Sequence, residues 1–153
     1  MTDPATLDAE ALIEHILTRF HEAHRRDLPA LQAQARAAVA RGAPPALAEH
    51  LDAMAVALEQ HQFKEEMRLF PMMEQGGNTL MGHLIDDLEA EHRLHEGAMA
   101  ALHEVLAGWP DDGADAQALR AGLGRLFADL AAHVQLEDEV LFPRFSAGGR
   151  RRT

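Results

Sequence analysis

Apolar residues recur along the chain at steps of three and four, the spacing that gathers them on one face of an α-helix. Proline and glycine divide this pattern into four long stretches. The stretches are predicted to run from Asp3-Pro4 or Thr6 to Arg41-Gly42, from Pro44-Pro45 to Pro71 or Gln75-Gly76-Gly77, from Asn78 or Thr79 to Gly108-Trp109-Pro110, and from Asp112 to Asp115 as far as Pro143. Because Pro29 lies inside the first stretch, we expect a kink near Leu28.

Four amphipathic helices joined by short connections predict an all-α fold, an antiparallel up-down four-helix bundle. The composition agrees, because 29 alanines and 21 leucines accompany only 5 valines and 3 isoleucines, too few strand-forming residues for a sheet. No long linker interrupts the pattern. We therefore expect one domain over residues 1–146, followed by a flexible basic tail at residues 147–153.

Composition also narrows the possible functions. The net charge of −11 argues against nucleic acid as a partner. The sequence has no cysteine, no tyrosine and a single serine, Ser146, which excludes thiolate metal sites and argues against Ser–His nucleophilic catalysis. No apolar run approaches the roughly 18 residues of a membrane span, and no signal peptide is visible, so the expected location is the cytoplasm.

Several polar residues fall on helix faces that the pattern assigns to the core. They are His21, His61, Glu65, His92, His133 and Glu137. A buried carboxylate costs on the order of several kcal/mol unless a positive group pairs with it. No lysine or arginine lies on these faces near Glu65 or Glu137. A divalent cation would supply the missing positive charge.

Two histidine–glutamate pairs share the same spacing and the same sequence context. In His61–Glu65 and His133–Glu137 the partners are four residues apart. On an α-helix this spacing is about 40° around the axis and about 6 Å along it, so both side chains reach one site. Each pair continues to a Leu-Phe-Pro sequence, and the two copies are offset by 72 residues throughout.

An HxxH motif precedes each pair, beginning at His21 in the first half of the chain and at His92 in the second, 71 residues apart. The repeat describes two helical hairpins that each give two histidines and a glutamate to a central site. Six ligands around one metal would leave no reactive position, whereas two metals bridged by both carboxylates would each keep open positions. Imidazole and carboxylate ligands without thiolate suit iron, manganese or zinc.

The residues beside these six are assigned other roles. His24 and His95 are expected in the core or in support of the metal ligands. Three acidic residues point away from the ligand direction on an ideal helix and are expected to be solvated: Glu66, Asp138 and Glu139. The remaining histidines are expected at the periphery: His15, His50, His83 and His103.

These motifs make the sequence similar to the hemerythrin-like (HHE cation-binding) family, and within it to the C-terminal di-iron domain of bacterial iron–sulfur cluster repair proteins. The resemblance covers nearly all of residues 7–146 and is carried by residues 18–29, 61–71, 89–92 and 133–143. It implies two iron ions in a non-haem, oxo-bridged centre. It further implies that the iron ligands are His21, His61, His92 and His133, with the bridging carboxylates Glu65 and Glu137.

The resemblance also implies a role in the response to nitrosative or oxidative stress, through iron–sulfur cluster repair or chemistry with nitric oxide. Its expected partners are a diatomic ligand, O₂ or NO, and iron–sulfur proteins. The alternatives are a protein that reversibly binds or senses O₂ or NO without catalytic turnover, and a structural bundle that binds zinc.

Two departures from the family pattern are visible. The repair proteins usually carry an N-terminal domain with a cysteine pair, whereas this sequence has no cysteine. Some relatives have a further histidine after the first helix, whereas residues 39–45 contain none. We therefore expect no thiol chemistry from these residues and no seventh protein ligand from that segment.

Overall fold

The structure is a computed structural model that describes residues 3–145. Its α-helices are α1 (Ala9–Ile16), α2 (Glu22–Ala40), α3 (Pro45–Lys64), α4 (Phe70–Glu74), α5 (Met81–Ala107) and α6 (Ala114–Leu136). Three π turns occupy Leu17–His21, Glu65–Leu69 and Glu137–Leu141, and two 3₁₀ turns occupy Pro4–Thr6 and Phe142–Arg144. No strand occurs in the part of the chain that the structure describes.

The π turns connect these helices into four continuous bundle helices, at residues 9–40, 45–74, 81–107 and 114–141. Helix α2 packs on α3 and α6, and α5 packs on α3 and α6, so each bundle helix contacts two neighbours. Short connections reverse the chain between successive helices. This arrangement confirms the predicted all-α four-helix bundle. The predicted tail at residues 147–153 lies outside the described residues.

The ends of the bundle helices follow local chemistry. The first α-helix begins later than the sequence predicts, because the Asp8 carboxylate accepts a hydrogen bond from the Ala11 amide at 2.8 Å and caps α1. The first two bundle helices end before glycines with positive φ, Gly42 at 109° and Gly76 at 98°. Only glycine adopts such angles at little cost, which explains why the chain turns there.

The predicted kink near Leu28 does not interrupt the first bundle helix. Helix α2 continues from Glu22 to Ala40 through Pro29. The proline ring lies on the exposed face, while Leu28 and Leu31 on either side are buried and hold the helix against the core. The departure from α geometry lies earlier, in the π turn at Leu17–His21.

The apolar core has two parts, which lie on either side of a layer of buried polar residues. One part includes Leu28, Leu58 and Leu130, and the other includes Ile16 and Phe142. On every bundle helix the buried histidines and glutamates lie between these two parts. Within residues 3–145, no helix combines the length and apolarity needed to cross a membrane.

Candidate metal centre

The structure brings together the six polar residues that the sequence places on core faces. Each of the four bundle helices contributes one histidine, and the second and fourth also contribute a glutamate four residues further on. All six are no more than 1% exposed. They are His21, His61, Glu65, His92, His133 and Glu137. The burial of this set between two apolar clusters makes its internal pairing decisive for stability.

The six residues form two groups of four, and both glutamates belong to each group. In every group the potential ligand atoms lie within 4.8 Å of one another. The first group adds His21 and His133 to the shared carboxylates, and the second adds His61 and His92. We call these the His21–His133 half-site and the His61–His92 half-site.

Each carboxylate presents a different oxygen to each half-site. Glu65 Oε1 lies 3.0 Å from His21 Nε2, and its Oε2 lies 3.2 Å from His61 Nε2. Glu137 Oε1 lies 2.9 Å from His92 Nε2, and its Oε2 lies 2.8 Å from His133 Nε2. Two carboxylates that each span both half-sites have the arrangement needed to bridge two metal ions.

The electrostatics of the centre call for positive charge. Burial opposes protonation of the histidine rings, but hydrogen bonds to Glu65 and Glu66 outweigh it and raise the pKa of His21 to about 9. Burial opposes protonation of His61 as well, yet the charge of Glu65 and hydrogen bonds to both shared glutamates raise its pKa to about 11. His133 and other histidines hold the pKa of the Glu137 carboxyl well below its ordinary value despite its burial.

The donor set fits metal ions better than protons. The Nε2 atoms of His61 and His92 lie 3.2 Å apart, so protonating both rings would place two positive charges side by side. A cation between the rings satisfies both lone pairs and the carboxylates together. Imidazole nitrogen and carboxylate oxygen are suitable ligands for iron, manganese or zinc.

Outside this centre, His21 is held by a chain of hydrogen bonds that reaches the surface. Its Nδ1–H donates to Glu66 Oε2 at 2.7 Å. The same carboxylate accepts hydrogen bonds from the Arg25 guanidinium at 2.9 and 3.1 Å. Burial raises the pKa of Glu66, but the bonds from His21 and Arg25 prevail and lower it to about 2. The proton on Nδ1 leaves the Nε2 lone pair free to face the centre.

His92 is held in the same way in the second half of the repeat. Its Nδ1–H donates to Asp138 Oδ1 at 2.7 Å, and Arg93 donates to the other carboxylate oxygen at 2.6 Å. Glu66 and Asp138 each directly follow a shared glutamate and are 72 residues apart. The two supporting carboxylates are therefore equivalent positions of the internal repeat.

His61 has a supporting carboxylate from a different place. Its Nδ1–H donates to Glu91 Oε1 at 2.8 Å, and Lys64 pairs with the other oxygen of Glu91. Glu91 lies on α5, directly before His92. Thus three of the four histidines belong to histidine–carboxylate–cation chains.

The expectation that Glu66 and Asp138 are solvated is wrong. Their side chains are only 20% and 18% exposed, and both accept hydrogen bonds from buried histidines. An ideal α-helix turns these carboxylates away from the centre, but each lies in a π turn, where rotation between successive residues is smaller. Each also faces the adjacent helix, whose histidine lies within reach. Glu139 is exposed, as expected.

His24 and His95 are buried beside the two groups without belonging to either. The ring of His24 lies 5.5 Å from that of His133, and the ring of His95 lies 4.9 Å from that of His61. Burial and then the neighbouring histidines lower the pKa of each ring to about 3, so both are neutral at physiological pH.

The remaining histidines lie away from the centre, as expected. His50, His83 and His103 are exposed, and His15 is partly exposed. Sequence reasoning missed Glu91, Arg25, Lys64 and Arg93. The one available signal for Glu91 is its position beside a predicted ligand, His92, in a helix that faces His61.

Comparison with known proteins agrees with this geometry. The family described as the hemerythrin HHE cation binding domain matches residues 12–145. The iron-sulfur cluster repair protein YtfE of Cronobacter sakazakii is 36% identical over 146 aligned positions, which cover 90% of this chain and 66% of that protein. YtfE of Enterobacter sp. strain 638 is 37% identical over 163 aligned positions, covering 95% of this chain and 70% of the relative.

A third relative, YtfE of Edwardsiella ictaluri, is 37% identical over 144 aligned positions, which cover 88% of this chain and 65% of that protein. The chain therefore spans about two thirds of the length of these repair proteins. The family match covers most of the chain and includes the six residues of the centre. The chain belongs to the hemerythrin HHE cation-binding domain family.

Proposed function

We propose that the centre holds two iron ions, one in each half-site. In this proposal the four histidines bind through Nε2, and Glu65 and Glu137 bridge the two ions. The observation that carries the proposal is that each shared carboxylate presents one oxygen to either half-site, at 2.8 to 3.2 Å from a histidine Nε2. Family membership supports iron as the metal.

The residues around the centre prepare it for cations. The supporting carboxylates of His21, His61 and His92 fix the tautomer and the orientation of each ring, because a carboxylate accepts only from a protonated Nδ1. The two shared glutamates contribute two negative charges inside the bundle. The apolar clusters above and below the centre exclude water and strengthen these interactions.

Each half-site offers four protein ligands, which leaves coordination positions open. Iron bound in this way supplies a redox-active pair that can bind a diatomic molecule such as O₂ or NO. No arginine or lysine within residues 3–145 reaches the shared glutamates, so the open positions face only the histidines and the apolar walls.

We propose that the protein acts in the cytoplasm in the response to nitrosative or oxidative stress, through repair of iron–sulfur clusters or chemistry with nitric oxide. The support is the 36–37% identity to iron-sulfur cluster repair proteins over about nine tenths of this chain. Iron–sulfur proteins are the partners in this proposal.

A second candidate is reversible binding or sensing of O₂ or NO without turnover. One observation favours it: His24 and His95 are neutral because their pKa values are lowered to about 3. Neither ring therefore carries a proton that it can readily give to a ligand at the centre, as a general acid would.

Two measurements separate these candidates. In the first, a hydratase whose [4Fe–4S] cluster has been damaged by NO is incubated with the iron-loaded protein, and the recovery of activity is followed. Repair predicts recovery that the Glu65→Gln variant does not support. In the second, NO is added in excess under anaerobic conditions. Consumption of no more than one or two equivalents per centre, without recovery of the hydratase, identifies a binding protein and refutes the repair proposal.

A further inference from the structure

The internal repeat is symmetric at the six central residues but not at the residues that support them. Three histidines donate from Nδ1 to a carboxylate. Among residues 3–145 no group hydrogen-bonds to Nδ1 of the fourth, His133, although this atom is buried. One half-site therefore has two supported histidines, and the other has one.

The cause is a single difference between the two halves of the sequence. The residue before His92 is Glu91, which accepts from His61 Nδ1. The equivalent residue before His21 is Phe20. Its ring stacks on the His133 imidazole, with centroids 5.3 Å apart and planes within 7° of parallel. Phe20 contacts the ring but offers no acceptor, so packing alone orients His133.

The same side of the centre adjoins a cavity. His24, whose ring is 5.5 Å from that of His133, lines a cavity of about 170 Å³ between α2 and α3. Gln62 lines it as well. His24 Nε2 and Gln62 Nε2 are buried and have no hydrogen-bond partner among the described residues. Water or a small chelating molecule in this cavity approaches the His21–His133 half-site.

We propose that the two half-sites are functionally unequal: the His61–His92 half-site retains its metal ion, and the His21–His133 half-site exchanges its metal ion readily. This inference rests on the proposed two-metal centre. Loss of an outer hydrogen-bond partner of a metal-bound histidine typically weakens metal affinity by about 10- to 100-fold. The missing partner of His133 predicts a difference of that size between the half-sites.

The test is the anaerobic release of Fe(II) from the reduced two-iron protein into an excess of a colorimetric ferrous chelator. We expect two phases of one iron per chain each, with rates that differ by about 10- to 100-fold. Release of both ions in one phase, from protein that contains two, overturns this inference and leaves the two-metal centre standing. Protein that never holds two metal ions overturns the proposed function instead.

Two matched variants show which half-site belongs to which phase. Glu66 and Asp138 are equivalent in the repeat, each accepts from a histidine Nδ1 at 2.7 Å, and each is paired with an arginine. We expect Glu66→Gln to accelerate only the fast phase and Asp138→Asn only the slow phase, each by about tenfold. If both variants accelerate the same phase, the proposed inequality is wrong.

Discussion

Replacing Glu66 by glutamine tests whether a residue outside the two groups tunes the metal centre. Glu66 lies adjacent to Glu65 in sequence, but it accepts from His21 Nδ1–H at 2.7 Å and pairs with Arg25. The amide oxygen of glutamine still accepts a hydrogen bond. The substitution therefore removes the negative charge of the acceptor and its ion pair while keeping the size of the side chain.

The expected loss follows from this change of charge. A hydrogen bond to a charged group contributes about 1.5–3 kcal/mol, and a neutral one contributes about 0.5–1.5 kcal/mol. The difference of about 1–1.5 kcal/mol corresponds to roughly a five- to tenfold rise in the dissociation constant of the metal bound by His21. Because the Glu66 side chain is only 20% exposed, solvent screens little of this contribution.

Equilibrium competition for Fe(II) against a chelator of known affinity measures this effect. Glu139→Gln is the control, because Glu139 is exposed and lies beside Asp138 in the equivalent π turn. The control should change iron affinity by no more than a surface substitution does, within about 0.5 kcal/mol. Equal affinities for Glu66→Gln and Glu139→Gln would refute the supporting role of Glu66.

Three further outcomes are expected. Glu65→Gln removes a charge that both half-sites share, so most of the bound iron and its near-ultraviolet absorption should be lost, while Glu139→Gln should keep both. Removing the metal should lower the Tm without unfolding the bundle, because both apolar clusters remain. An unchanged Tm on chelation would contradict this. In the metal-free protein, three site histidines have pKa values raised from 6.5 to about 9–11, and two core histidines have values lowered to about 3. The first set stabilises the fold below pH 6.5 and loses this effect as the pH rises through 9. The second set stabilises it above pH 6.5 and loses this effect as the pH falls toward 3. Denaturant midpoints should therefore peak near pH 6.5, and a continuous rise from pH 6 to 9 would contradict these shifts.

Helical periodicity suffices to predict the bundle and the residues that meet at its centre. A histidine and a glutamate four residues apart remain neighbours on any helix, whatever the partner helix does. His61 and Glu65 therefore lie together as the spacing predicts, with Nε2 and Oε2 3.2 Å apart. The 72-residue repeat doubles this information, since the same reasoning applies to His133 and Glu137.

The supporting residues could not be predicted from the periodicity of one helix. Glu66 and Asp138 take part because π turns replace α turns at these positions and because a neighbouring helix places a histidine opposite them. Glu91 supports His61 from another helix, so its role depends on helix packing. The sequence distance between these partners, 30 residues, carries no periodic signal.

The metal content of the purified protein tests the central claim most directly. Protein produced with ample iron and purified anaerobically without added metal should contain close to two iron ions per chain, as measured by elemental analysis against the protein concentration. This result follows from two half-sites that share Glu65 and Glu137. A reproducible content of one iron per chain, or zinc as the only metal retained, would contradict the two-iron centre.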